Sequence, residues 1–273
     1  MSLPSPRTAS GREGMAALLA EPGRALVALD FDGTLAPIVV EADAARIAPG
    51  GLAAVAATAR TFGQLVVITG RPAGWVVGPG GLGDVSGLVV VGQYGAQRWA
   101  AGELHEAEPH AGLAAVRRAL PALVAGRPAR IEDKGLSLVV HTRGAEHPDA
   151  ELAALADPVG ALAAEHGLAA HLGRYVVEIR PPGFDKAGVL RDLVQEYAAG
   201  SVLFAGDDLG DLPAFDEVAA LRERGIPGIT VCSASAEVPD LAGRADLVVD
   251  GPEGVVALLT DLVAVATGGT RSG

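Results

Sequence analysis

Six short apolar runs, at residues 26–30, 65–69, 88–91, 201–206, 228–232 and 246–250, recur between stretches of helical pattern. Alternation of this kind points to a parallel sheet with crossover helices, because parallel strands cannot be joined by tight turns. Helices are expected at 51–61, 71–77, 187–197, 212–224 and 253–265, each flanking one of the runs. Hydrophobic residues make up 49% of the chain and aromatics only 4%, so the core has to be built from Ala, Val and Leu. Between about 106 and 182 the pattern changes to a helix (111–124), two strands (129–134 and 136–142), a helix (148–166) and a strand (175–180). That segment reads as a small α+β unit inserted into the larger sheet, with Pro109 and Pro181-Pro182-Gly183 at its edges. The expected organisation is a core over 1–105 and 183–273 interrupted by a second domain over 106–182, with the first 14 and last seven residues frayed.

The formal net charge of −12 argues against nucleic acid or an anionic membrane surface as the main partner. No apolar run reaches eighteen residues, and residues 1–24 read as neither a membrane span nor a signal peptide, so neither is expected. Cys232 is the only cysteine, which fits a reducing cytosol, and its apolar surroundings suit packing. Of 21 basic residues only Lys134 and Lys186 are lysines, which suggests two places where a compact charge on a flexible stem is needed. Asparagine is absent.

Four motifs sit at strand ends. Asp30-Phe31-Asp32-Gly33-Thr34 follows the first run and places two carboxylates where i and i+2 side chains share a side. Their mutual repulsion makes sense with a divalent cation, and hard oxygen ligands suit Mg²⁺. Gly33 permits a tight turn that presents N–H groups to an anion. Thr69-Gly70-Arg71-Pro72 offers a hydroxyl and a helix terminus to a phosphate, and Arg71 could help attract one. Lys186 precedes an apolar-periodic helix, where an ammonium could neutralise nucleophile and phosphate together. Asp207, Asp208 and Asp211 end the fourth run as metal-ligand or supporting candidates.

In this order, the four motifs resemble the haloacid dehalogenase superfamily of aspartate-dependent phosphohydrolases over about residues 24–104 and 183–267. The resemblance implies a Rossmann-like parallel-sheet core carrying an inserted smaller α+β cap. It further implies that Asp30 attacks phosphorus, and that Asp32 protonates the leaving oxygen and later activates water. Mg²⁺ would be held by Asp30, the backbone carbonyl of Asp32 and Asp207, with Asp208 and Asp211 supporting them. Thr69 and Lys186 would grip the phosphoryl group.

Within the insert, Glu132-Asp133-Lys134 and Val177-Glu178-Ile179-Arg180 look like the cap pattern of trehalose-6-phosphate phosphatases, which carries sugar-hydroxyl contacts over to Glu132, Lys134 and Glu178. Arg143 and Arg180 are further candidates for attracting phosphate or sugar. Three places depart from the pattern: Gly210-Asp211-Leu212 for Thr-Asp-Glu, Tyr94-Gly95 for His-Gly, and Asp185-Lys186-Ala187 for Asn-Lys-Gly. The six histidines show no metal-ligand spacing and read as surface or cap residues. The expected protein is thus a cytoplasmic, monomeric, Mg²⁺-dependent phosphatase whose partner is a small-molecule sugar phosphate, foremost trehalose 6-phosphate. The alternatives are a phosphatase for sucrose phosphate or glucosylglycerol phosphate, a phosphomutase, and a catalytically silent phosphosugar-binding module.

Overall fold

The computed structural model describes residues 3–39, 41–234 and 239–268. Helix α1 (Ala9–Ala20) precedes β1 (Ala25–Leu29), α2 (Gly51–Thr61), β2 (Gln64–Ile68), α3 (Ala73–Val77), β3 (Leu88–Gly92), β4 (Gln97–Ala100) and β5 (Glu103–Glu106). Next come α4 (Leu113–Val124), β6 (Arg130–Asp133), β7 (Leu138–His141), α5 (Pro148–Glu165), β8 (Ala169–Gly173) and β9 (Val176–Arg180). The chain ends through α6 (Lys186–Glu196), β10 (Ser201–Gly206), α7 (Leu212–Glu223), β11 (Gly228–Ala234), α8 (Pro239–Arg244), β12 (Leu247–Asp250) and α9 (Gly251–Ala266). These elements form two compact units, one of residues 1–105 and 185–273 and one of residues 106–184.

In the first unit the strands lie in the order β12-β11-β10-β1-β2-β3-β4-β5, parallel from β12 to β3, with β4 antiparallel to β3. Every residue of β1 is buried, and its side chains alternate between two cores. Ala25, Val27 and Leu29 pack with residues of α1, α2 and α9, while Leu26 and Ala28 pack with residues of α6, α7 and α8. A central parallel strand covered on both faces has to be apolar throughout, which is why its sequence shows no alternation.

The expected fraying of the first 14 residues is overturned from Thr8 onward, and residues 1 and 2 lie outside the described residues. Thr8 caps α1 by accepting from the Gly11 N–H at 2.9 Å, and the helix buries Gly11, Gly14, Met15 and Leu18. Half of that contact face is glycine, so it carries no hydrophobic pattern to detect. Of the seven residues expected to fray at the end, Thr267 and Gly268 follow α9 as a turn and 269–273 lie outside the described residues.

The second unit is a four-stranded antiparallel sheet in the order β6-β7-β9-β8, with α4 and α5 packed on one face through Leu113, Val116, Leu120, Leu155 and Val159. The registers Glu132↔Val139↔Glu178↔His171 set these residues in one row across the sheet. Strand β8 was not expected from the sequence. Its His171 and Gly173 interrupt the apolar pattern that marks a strand.

Candidate active site

Strands β10, β1 and β2 end level with one another, because Leu29 pairs with Ala205 on one side and Val67 on the other. From β1 the chain passes to β2 on one side, while β10 closes the other side from far along the sequence. Such a point, where strand order reverses, opens a crevice at the carboxyl ends of a parallel sheet. Asp30, Thr69 and Asp207 each lie one residue past the end of their strand.

The structure brings Asp30, Asp207 and Asp211 together, with one carboxylate oxygen of each within 4.8 Å of the others and all three side chains buried. Lys186, the first residue of α6, puts its Nζ 2.7 Å from Asp30 and 2.6 Å from Asp211. An ammonium is disfavoured at a helix N-terminus, and the two carboxylates supply the compensation. Burial opposes its charge, but Asp211 and Asp30 outweigh that and raise its pKa well above the ordinary 10.5.

Asp211 is 0% exposed and is fully engaged. Its Oδ1 accepts from Lys186, while Oδ2 accepts from the backbone N–H of Asp207 at 2.9 Å and of Asp208 at 3.2 Å. It therefore folds the loop after β10 back on itself and ties it to α6. Asp208 is turned away from the cluster, accepting from the Gly210 N–H at 2.8 Å. Burial, with Asp211 and Asp208 adding to it, raises Asp30 well above the usual carboxylate range against the pull of Lys186. Asp207 is pushed up to about 9 by burial and by the Asp30 carboxylate.

Three clustered carboxylates facing one ammonium leave net negative charge in a buried place, which is the electrostatic demand that a divalent cation meets. Gly33 supports the fit, because at φ +75° a Cβ there would stand 1.9 Å from the Asp207 carboxylate. Ser233 donates to the Gly33 carbonyl at 2.6 Å and fixes that turn to β11. Donors that are all oxygen suit Mg²⁺.

The carboxylate of Asp32 does not join the cluster. It is gripped by Arg71, whose Nε and Nη2 donate to its two oxygens at 2.6 and 2.7 Å. The Thr69 hydroxyl accepts from the Arg71 N–H at 3.1 Å, which leaves its own O–H to donate. Gly70 has no room for a side chain, because a Cβ would lie 2.7 Å from the Tyr94 hydroxyl oxygen. Tyr94 thus lies against the Thr69-Gly70 turn at one of the three places where the sequence departs from the family pattern.

In the second unit, Glu178 is buried and receives Ser137 Oγ at 3.1 Å and Lys134 Nζ at 3.5 Å, with Arg180 Nη1 also 3.5 Å away. Glu132 bonds to His141 at 2.7 Å, and that bond holds its pKa below the ordinary value. Arg143 is not in this group, and its guanidinium carbon lies 5.7 Å from the Tyr175 ring centroid. Ser137 and Ser233 escaped the sequence reading, and His141 was read only as a surface or cap residue, because the partner of each is placed beside it only by the fold. The exception is the Lys134–Glu178 pair, whose lysine stood out by scarcity.

A family model described as trehalose-phosphatase matches residues 28–250. The trehalose-phosphate phosphatase of Mycobacterium tuberculosis (strain ATCC 25618 / H37Rv) is 31% identical over 263 residues, covering 87% of this chain and 61% of the relative. That of Mycobacterium marinum is 32% identical over 213 residues, covering 71% of this chain and 52% of the relative. The chain thus spans about half to three fifths of the length of these relatives. Among solved structures, the C-terminal domain of the C. albicans trehalose-6-phosphate phosphatase aligns with a TM-score of 0.78 at 18% identity, covering 97% of this chain and 99% of that one. The Aspergillus fumigatus trehalose-6-phosphate phosphatase, crystal form 3, gives 0.68 at 20% identity, covering 95% and 99%. At these identities the structures speak for the fold alone, whereas the family model spans most of the sequence: the chain belongs to the trehalose-phosphatase family.

Proposed function

We propose that this chain is a Mg²⁺-dependent phosphatase that hydrolyses trehalose 6-phosphate to trehalose and phosphate, working as a cytoplasmic monomer. The observation that carries the reading is the buried arrangement of Asp30, Asp207 and Asp211 around Lys186 at the switch point of the sheet. The Asp30 carboxylate attacks phosphorus, forming an Oδ–P bond as the bond to the sugar oxygen breaks, and Asp32 delivers a proton to that oxygen. Asp32 then takes a proton from water, which attacks the aspartyl-phosphate, releasing phosphate and restoring Asp30. Lys186, the Thr69 hydroxyl and the backbone N–H groups around Gly33 and Gly70 hold the phosphoryl oxygens. Asp30, Asp207 and the Asp32 carbonyl would hold Mg²⁺, with Asp211 fixing the loop that carries Asp207. When bound, the ion offsets charge building on the phosphoryl oxygens. We assign the sugar hydroxyls to Glu132, Lys134 and Glu178, whose carboxylates accept and whose ammonium donates.

The test is phosphate release with Mg²⁺ from trehalose 6-phosphate, sucrose 6-phosphate, glucosylglycerol phosphate, glucose 6-phosphate and p-nitrophenyl phosphate, with Asp30→Asn as control. The expected result is a strong preference for trehalose 6-phosphate that vanishes in the variant. Turnover of the other sugar phosphates alone would refute the substrate, and no turnover of any ester would favour a silent binding module.

A further inference from the structure

We infer that Arg71 is a positioning residue that acts through Asp32 and is not itself a phosphate ligand; the inference rests on the proposed proton-transfer role of Asp32. An arginine beside a phosphate site is ordinarily read as an anion grip, and its place after Thr69-Gly70 invites that reading. The geometry points elsewhere. Nε and Nη2, the edge of the fork best shaped for a carboxylate, are both spent on the two oxygens of Asp32. The plane of the fork is set from behind, because Cζ lies 3.9 Å from the centroid of the Trp75 ring and 5.9 Å from that of Phe31. Those two rings brace each other edge to face, 5.8 Å apart at 82°.

The main chain of Arg71 is held as well. Its N–H donates to the Thr69 hydroxyl at 3.1 Å, and its carbonyl accepts from the Gln93 N–H at 2.9 Å. Exposure separates the two partners: the Arg71 side chain is 14% exposed and that of Asp32 39%. The carboxylate is thus the member that faces outward and the guanidinium is its backing. Asp32 itself lies past the end of β1, followed at once by the left-handed Gly33, so the strand ladder does not orient its side chain. Arg71 supplies that orientation, through a stack from Trp75 to guanidinium to carboxylate. A planar fork performs this and a point charge does not, so lysine is not an adequate replacement.

The function of such a backing is specific. It matters most where an alkoxide leaves and needs a proton, and least where the leaving group is an acidic phenol. We would compare wild type, Arg71→Ala, Arg71→Lys, Trp75→Leu, Asp32→Asn and the Asp32→Asn/Arg71→Ala double variant. Steady-state turnover of trehalose 6-phosphate and the first-turnover burst of p-nitrophenolate from p-nitrophenyl phosphate would be measured with Mg²⁺. Both Arg71 variants should lower kcat for the sugar phosphate by about 100-fold, the scale of a misplaced proton donor, with KM within about threefold. Their burst rate should fall by less than about fivefold, and Trp75→Leu should give a smaller kcat loss of the same kind. In the Asp32→Asn background, removing Arg71 should cost nothing further.

A rise in KM for both esters, a loss that multiplies with that of Asp32→Asn, or full rescue by lysine would overturn the inference and return Arg71 to the phosphate. If p-nitrophenyl phosphate alone is turned over by the wild type, the sugar assignment fails while the burst measured in the double-variant cycle still decides Arg71. If neither ester is turned over, both readings fall. Inorganic phosphate binding provides a readout independent of turnover: wild-type affinity in Arg71→Ala supports the positioning role, and a loss of about tenfold or more in a folded variant overturns it.

Discussion

Asp207 and Asp211 are four positions apart and do different work. Asp211 spends both oxygens on Lys186 and on two backbone N–H groups, so its charge is matched by donors. Burial and three acidic neighbours instead push Asp207 up to about 9. Asp207→Asn is therefore expected to make the metal-free protein more stable near pH 7, by about 1 kcal/mol or more, because the wild-type carboxyl must take up a proton to be buried among these acids and the neutral amide need not. Urea unfolding in EDTA checks this, and a lower midpoint for the variant contradicts it. The stabilisation that added Mg²⁺ gives the wild type should also disappear. At this scale the sequence offered residues that the structure gathers at one place, but not which of them touch. Asp30, Lys186 and the acids after β10 were legible because they stand at strand or helix ends with no local reason to be charged. Asp32 could not be placed, because its partner Arg71 lies 39 positions away and the stacking Trp75 looks like any half-buried aromatic.

Helix α1 shows what an element needs besides a hydrophobic face. A Cβ at Gly14 would stand 1.9 Å from the carbonyl oxygen of Gly228, so the helix can approach β11 only through glycine. Its start is tied down by Asp246, just ahead of β12, which accepts from the Thr8 hydroxyl, from Arg222 and from the Thr230 N–H at 2.8 Å. Burial works against the Asp246 charge, but these bonds outweigh it and hold its pKa below the ordinary 3.8. Because the folded-state pKa is the lower one, the stabilisation is complete above pH 3.8 and is lost as the pH falls through the depressed value. Asp246→Asn should cost about 3 kcal/mol at pH 7, the lower end for breaking a buried ion pair because Arg222 is partly exposed, and the cost should shrink below pH 3.8. Denaturation series at pH 7 and pH 3 measure the difference, and a gap that stays constant removes the explanation. The core strands were readable because burial on both faces makes them continuous apolar runs, and β10 and α2 match their expected limits. The pair β4 and β5 was missed for the converse reason, since every residue of β5 is exposed.

Each of the two units has an apolar core of its own, that of the second being made by Leu113, Leu120, Leu138, Val140, Val159 and Ile179 among others. The first unit also contains Asp30, Asp32, Thr69, Lys186 and Asp207 in full. Replacing residues 106–184 by a short Gly/Ser linker should leave a folded protein that hydrolyses p-nitrophenyl phosphate with Mg²⁺ but no longer prefers a disaccharide phosphate over glucose 6-phosphate. Retained preference would place sugar recognition in the first unit, and loss of the aryl activity in a folded product would show that the chemistry needs the second.

The order in which the chain is written has its own consequence. In the finished sheet β1 lies between β2 and β10, yet β10 begins at Ser201, 176 residues after Ala25. On a ribosome the central strand must therefore wait, with one ladder edge open, while the whole second unit and α6 are made, a delay of roughly 9–35 s over those 176 residues at ordinary elongation rates. Every strand pairing of the second unit, by contrast, lies between residues 130 and 180. The unit set into the middle of the chain is thus complete before the first unit can close, and Asp30 is synthesised long before the residues that give its charge a purpose.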